Sequence, residues 1–197
     1  MFAWTLWGCG VAPMEPAQAV AEARLPELGA PAPGPVPPPV ADGFDFPVGP
    51  PDASGYYDAQ PFGRNTHLGA DWNAVTGGNT DLGAPVHVVA HGVVTFAADI
   101  GGGWGNVVRV RHRYEEEGSL RDVESLYGHL DRVDVAPGEV LERGATVGTI
   151  GDAHRNYIAH LHFEVRSVVG LPVGPGYAAD STGYLDPTGF LQAHRPK

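Results

Sequence analysis

The chain has 197 residues, a formal net charge of −11, 28 Gly and 19 Pro. That length holds one domain with a buried core plus some tail, and the Gly and Pro content favours turns and short strands over long helices. The acidic balance without a basic patch argues against a nucleic-acid partner, and no run reaches the ~18 apolar residues of a membrane-spanning helix.

The N-terminal stretch carries the single cysteine, Cys9, so no internal disulfide forms. Leu6-Trp7-Gly8-Cys9 resembles the lipobox of bacterial lipoproteins, whose thiol receives a diacylglycerol. Only eight residues precede Cys9 and none is Lys or Arg, whereas an export signal has a basic start and a longer apolar run. Two readings stay open: a signal truncated by a start placed too far downstream, or a small residue in an apolar stub. Pro16 to Gly29 has room for one short helix. Residues 31–41, PAPGPVPPPVA, contain six Pro and read as a semi-rigid polyproline spacer. The expected organisation is a stub over 1–30, a Pro-rich linker over 31–42, a folded domain over 43–193 and a tail over 194–197. That arrangement describes an anchored or secreted module held away from a surface.

The folded part reads as β. Pro85 to Phe96 is two apolar β-branched runs punctuated by Gly92. Over Asn106 to Arg113, Val108, Val110 and His112 share one face while Arg109, Arg111 and Arg113 share the other. Glu115 to Gly118 reads as a solvated hairpin turn. Val123 to Leu130 and Ala145 to Ile150 are further strands, and Ala159 to Arg166 is the clearest. Short strands at turn-punctuated spacing predict an antiparallel all-β domain.

On that last strand, Leu161, Phe163 and Val165 face a core, while His160, His162, Glu164 and Arg166 share the other face. Two imidazoles one pleat repeat apart stand ~6.5–7 Å from one another. This suits one on a metal and the other reaching an atom bound to that metal; two surface histidines alternating with core residues is the plainer reading. His67-Leu68-Gly69-Ala70-Asp71 reads as a turn leading into Asp71-Trp72, with the Gly letting both polar side chains point inward. A set of two His and one Asp is borderline-soft, suits Zn²⁺, and leaves a fourth position open, as catalytic rather than structural sites do. Leu126-Tyr127-Gly128-His129-Leu130 places His129 after an apolar strand. No HExxH, G-x-S-x-G or Walker motif is present.

Taken together, HLGAD, LYGHL and HLHFEV in this order resemble the lysostaphin/LytM family of zinc endopeptidases, which cut peptidoglycan cross-links and bridges. The resemblance runs from about Phe46 to Leu191 and includes Gly83-Ala84-Pro85-Val86, Trp104-Gly105-Asn106, Val147 to Gly151 and Leu185-Asp186-Pro187. It implies zinc on His67, Asp71 and His162, catalytic roles for His160 and His129, and a peptidoglycan peptide as substrate. It also implies an all-β fold of the duplicated, hybrid antiparallel type with a groove over the metal, preceded here by a disordered stub and linker. The implied location is the cell envelope or the extracellular space, with the membrane reached only through lipid on Cys9. Gly151 to Ala159 stands where the family has a Gly-rich segment, so a bulkier groove wall is expected, and Val168 to Ser181 is a Gly/Pro loop placed to border the groove. His154 is a further candidate for contact with substrate or water. The competing readings are an inactive member serving as a cell-wall binding module or hydrolase activator, and, further off, a sugar-transport phosphocarrier.

Overall fold

The structure, a computed structural model, describes residues 37–196. Its strands are β1 Tyr56–Gln60, β2 Ala70–Ala74, β3 Pro85–His87, β4 Gly92–Asp99, β5 Asn106–Glu116, β6 Ser119–Leu130, β7 Arg132–Val133, β8 Val140–Leu141, β9 Thr146–Thr149, β10 Leu161–Arg166 and β11 Tyr184–Leu185. A short helix, α1 Pro187–Ala193, follows. The expected antiparallel all-β class is borne out. Eight strands form one sheet, in the order β1-β2-β10-β6-β5-β4-β8 with β11 also on β10, and β3-β9-β7 form a second sheet. The expected stub and the first half of the Pro-rich linker lie outside the described residues, as do Cys9 and Pro16 to Gly29.

Alternation explains the central strands. Val108 and Val110 on β5, Tyr127 on β6, and Leu161, Phe163 and Val165 on β10 are all buried in one core. Burying side chains of this size is worth about 1.5–3 kcal/mol each. The β5–β6 hairpin turn is tighter than expected. Pairing continues to Glu116↔Ser119, leaving Glu117 and Gly118, both at positive φ, as a two-residue turn. Such a turn twists in the same sense as its strands. The spacing gave no sign of β1, β2 or α1. The helix starts where Asp186 accepts from the Thr188 N–H, with Pro187 in the first turn, and it buries Phe190 and Leu191.

The second face of β10 is covered as well. His162 is buried against the His67 and Trp104 rings, and Glu164 and Arg166 are buried where the segment 167–183 crosses that face. It is held there by backbone carbonyls that accept from Arg166 and Trp104. Either side of the expected 43–193 domain, Val40 bridges to Arg113 and Asp42 pairs with Arg143, while Arg195 pairs with Asp45 and Asp52. No helix among the described residues is long and apolar enough to cross a membrane.

Candidate metal centre

Sheet register assembles the site. On β10, His162 stands opposite Asp71 of β2 on one side and Gly128 of β6 on the other. Asp71 therefore meets His162 across neighbouring strands, and His129, next along β6, reaches the same place. His67 arrives from outside the sheet. A 3-10 turn over Arg64–Thr66, with Asn65 and Thr66 at positive φ, delivers it, and its backbone bridges to Tyr177. Gly69 serves close approach rather than the inward curl expected of it: a Cβ there would lie 2.6 Å from the Phe163 carbonyl oxygen and 2.9 Å from His162 Cε1. Gly128 likewise leaves room for the Trp104 ring, 3.1 Å from where its Cβ would be.

Three donor atoms converge. His67 Nε2 lies 3.0 Å from His162 Nδ1, which lies 2.9 Å from Asp71 Oδ1, and His67 Nε2 to Asp71 Oδ1 is 3.3 Å. The far nitrogen of each imidazole is already committed. His67 Nδ1 donates to the Gln60 carbonyl at 2.8 Å, and His162 Nε2 donates to Glu164 Oε1 at 3.0 Å. Carbonyls and carboxylates only accept, so the two facing nitrogens carry lone pairs and point at a carboxylate oxygen. That arrangement calls for a positive charge at its centre. Without metal, a proton meets the need. Burial alone would lower the pKa of His162, but Asp71 and Glu164 outweigh it and lift it to about 9. The hydrogen bonds from His162 and His67 likewise overcome burial and hold the Asp71 carboxyl well below the usual carboxylate range. Donors around a tetrahedral zinc at ~2.1 Å stand about 3.4 Å apart, so the observed triangle fits that ion with a slight spreading.

Two further imidazoles flank the cluster. His160 Nδ1 donates to the Ile158 carbonyl at 2.7 Å, turning Nε2 toward Asp71 Oδ1, 3.9 Å away. His129 Nδ1 donates to the Trp104 carbonyl at 3.2 Å, and its ring lies 4.8 Å from that of His160. Both therefore expose a bare Nε2. Burial, with help from the neighbouring His162 and His160, pushes the His129 pKa down to about 3, so this ring is neutral at physiological pH. His129 also sits at φ +63°, a left-handed conformation costing a non-glycine residue on the order of 1 kcal/mol.

The cluster opens into a groove of about 390 Å³ walled by Trp104, Tyr157 and Tyr177, with Gly103 and Gly176 between. The expected bulkier wall is present as Tyr157, and the Gly/Pro loop borders the groove through Pro175 to Tyr177. His154 turns away: its Nε2 lies 3.1 Å from Asp99, and it lines a separate depression with Asp131 and Asp152. Ala153, His154 and Arg155 are consecutively left-handed, a conformation that favours glycine. Sequence reasoning put Glu164 on the right face without a role, and gave no role to Tyr157, Tyr177 or Gln60, because none belongs to a motif.

The fold and site thus define an antiparallel β domain with a His–Asp–His cluster, compatible with a metal ion, at the base of an open groove. The sequence model of peptidase family M23 matches residues 65–175, more than half of the chain. Lipoprotein NlpD of Yersinia enterocolitica is 31% identical over 84 residues, covering 43% of this chain and 78% of that protein. Among solved structures, a variant catalytic domain of the prophage-encoded M23 protein EnpA from Enterococcus faecalis aligns with a TM-score of 0.52 at 20% identity, over 74% of this chain and 95% of that one. A putative peptidase M23 from Pseudomonas aeruginosa aligns at 27% identity and a TM-score of 0.48, over 66% of this chain. This chain spans 46% of that protein's length. The chain belongs to peptidase family M23, as the motif resemblance implied.

Proposed function

We propose that this protein is a zinc-dependent endopeptidase acting on the peptide cross-links or bridges of bacterial peptidoglycan. His67, Asp71 and His162 would hold the ion, and His129 and His160 would act on the water and the reacting carbonyl. One observation carries the reading. Three electron-pair donors converge, the far nitrogens of both imidazoles among them are committed elsewhere, and two more imidazoles present bare Nε2 atoms to the same groove. Bound there, Zn²⁺ supplies Lewis acidity for a carbonyl and a lowered pKa for water.

The residues do the rest. The Ile158 and Trp104 carbonyls fix the tautomers of His160 and His129; His160 can take a proton at Nε2 from water in the groove, while His129, held neutral, offers its Nε2 to orient that water. The imidazolium so formed can return that proton to the departing amine or donate to the carbonyl oxygen as negative charge grows on it. Trp104, Tyr157 and Tyr177 wall the groove that would receive the peptide. The envelope is the matching location. Residues 1–30 are the proposed stub and 31–42 the proposed spacer, whose last residues, Val40 to Asp42, pair with the domain; lipid on Cys9 is the proposed tether. Measured zinc content, together with digestion of defined muropeptides read by mass spectrometry, tests the proposal. Stoichiometric zinc with new amine ends supports it; an intact substrate beside a zinc-free protein favours the binding-module reading.

A further inference from the structure

Behind the metal cluster lies a row of buried charges that the proposed chemistry does not use. His162, Glu164 and Arg166 alternate along one face of β10. Glu164, Arg166 and Glu124 are each 0% exposed. Glu164 is two-sided. Its Oε1 accepts from His162 Nε2 at 3.0 Å, and its Oε2 accepts from Arg166 Nε at 2.7 Å. The Arg166 fork then donates onward to main-chain carbonyls of the crossing segment: Leu171 at 3.3 Å, Pro172 at 3.2 Å and Val173 at 2.6 Å. A second arginine, Arg109, reaches the same Leu171 carbonyl at 2.7 Å, and Glu124 stands 3.4 Å from it. One residue past this anchorage, the Gly174 carbonyl accepts from Trp104 Nε1, and Pro175 to Tyr177 then form a groove wall.

Buried ion pairs are often no more stabilising than apolar residues of the same size, so a fully buried charged row invites an explanation beyond stability. Here its two ends supply one: a metal ligand at one end and a substrate wall at the other. The geometry points to Glu164 as a positioning residue that, with Arg166, fixes the His162 ring and the 171–177 wall relative to one another. The carboxylate selects the Nε2–H tautomer of His162, which leaves Nδ1 for the ion. Arg166 sets where that carboxylate stands by holding it against carbonyls that cannot move without moving the wall. The inference rests on the zinc-peptidase reading, and its test separates the two.

The full chain is stripped of metal and titrated with Co²⁺, whose visible absorption reports ligand geometry, and Zn²⁺ affinity is then read by competition. Glu164→Gln keeps the size and a carbonyl acceptor but loses the charge. It is expected to weaken Zn²⁺ binding 10–100-fold, the range for partners of metal-bound histidines, and to alter the Co²⁺ band. Arg166→Lys keeps the charge but loses the fork. It is expected to raise KM for a muropeptide several-fold while changing kcat less, because the wall is released. It also guards against a Glu164 variant that does not fold. Wild-type Co²⁺ affinity and spectrum in Glu164→Gln overturn the role of Glu164, and an unchanged KM in Arg166→Lys overturns the link to the wall. A wild-type chain that binds no Co²⁺ refutes the metal site itself.

Discussion

The clearest acid-sensitive element lies in the core, away from the groove. His112 on β5 is fully buried, and its neutral ring is satisfied on both sides: Nδ1 donates to the His91 carbonyl at 2.9 Å and Nε2 accepts from Ser125 Oγ at 2.8 Å. Burial pushes its pKa down to about 4 from an ordinary 6.5. Between those values the unfolded chain holds a proton that the folded chain does not. Stability is therefore complete above pH 6.5 and is lost as pH falls toward 4. At about 1.4 kcal/mol per pH unit, that gap corresponds to about 3 kcal/mol, a large share of a typical 5–15 kcal/mol. The perturbation is His112→Gln, which removes the titration. Both proteins are unfolded in urea at steps from pH 7 to 4, metal-free with a chelator present, and followed by circular dichroism. His162, raised to about 9, adds stability below pH 6.5 and loses it as pH rises toward 9, equally in both proteins, so it cancels in the difference. The stability of wild type minus variant should fall by about 3 kcal/mol across the range. A difference that stays flat would refute the claim that His112 is held neutral.

Four further outcomes are expected. His162→Ala should empty the metal site under dialysis while His160→Ala keeps it, because only His162 lies in register with Asp71; metal content by mass spectrometry decides, and the reverse pattern inverts the assignment. His129→Ala should keep zinc and lose about 10²–10⁴-fold in hydrolysis rate, the usual contribution of a general acid or base, so near-normal turnover removes it from the mechanism. Gly69→Ala should force the His162 ring aside, weakening zinc binding in a competition titration and destabilising the fold by about 1–3 kcal/mol through overpacking. Deleting residues 1–36 should leave the melting temperature unchanged, whereas deleting through Asp42 should lower it, since that removes the Val40 bridge and the Asp42–Arg143 pair.

Much of this was legible in the sequence, for a physical reason. A period of two along 106–113 and 159–166 identifies a strand whose neighbours are apolar, and three spaced motifs bring the donor residues into view. The alternation on β10 puts Glu164 and Arg166 on the face opposite the core without saying whether that face is covered, and both are buried. Whether a second face is covered depends on where a loop of Gly and Pro returns, and such a loop has no period to read. β1 and β2 were missed for a related reason: Ala70–Ala74 earns its strand from register with β10, not from its own composition. His112 looked like one more residue on an alternating strand, and only its depth in the core distinguishes it.

The manner of Arg166's grip has a consequence for change over time. It holds Leu171, Pro172 and Val173 by their main-chain oxygens, which any residue supplies, and the side chain of Pro172 is exposed. The side chains along this stretch can therefore drift while the tether between β10 and the neighbouring 175–177 wall keeps its length. Mutational diversity should be tolerated over 171–173 at positions where Arg166 and Glu164 themselves admit almost none, giving the protein a replaceable edge on a fixed base.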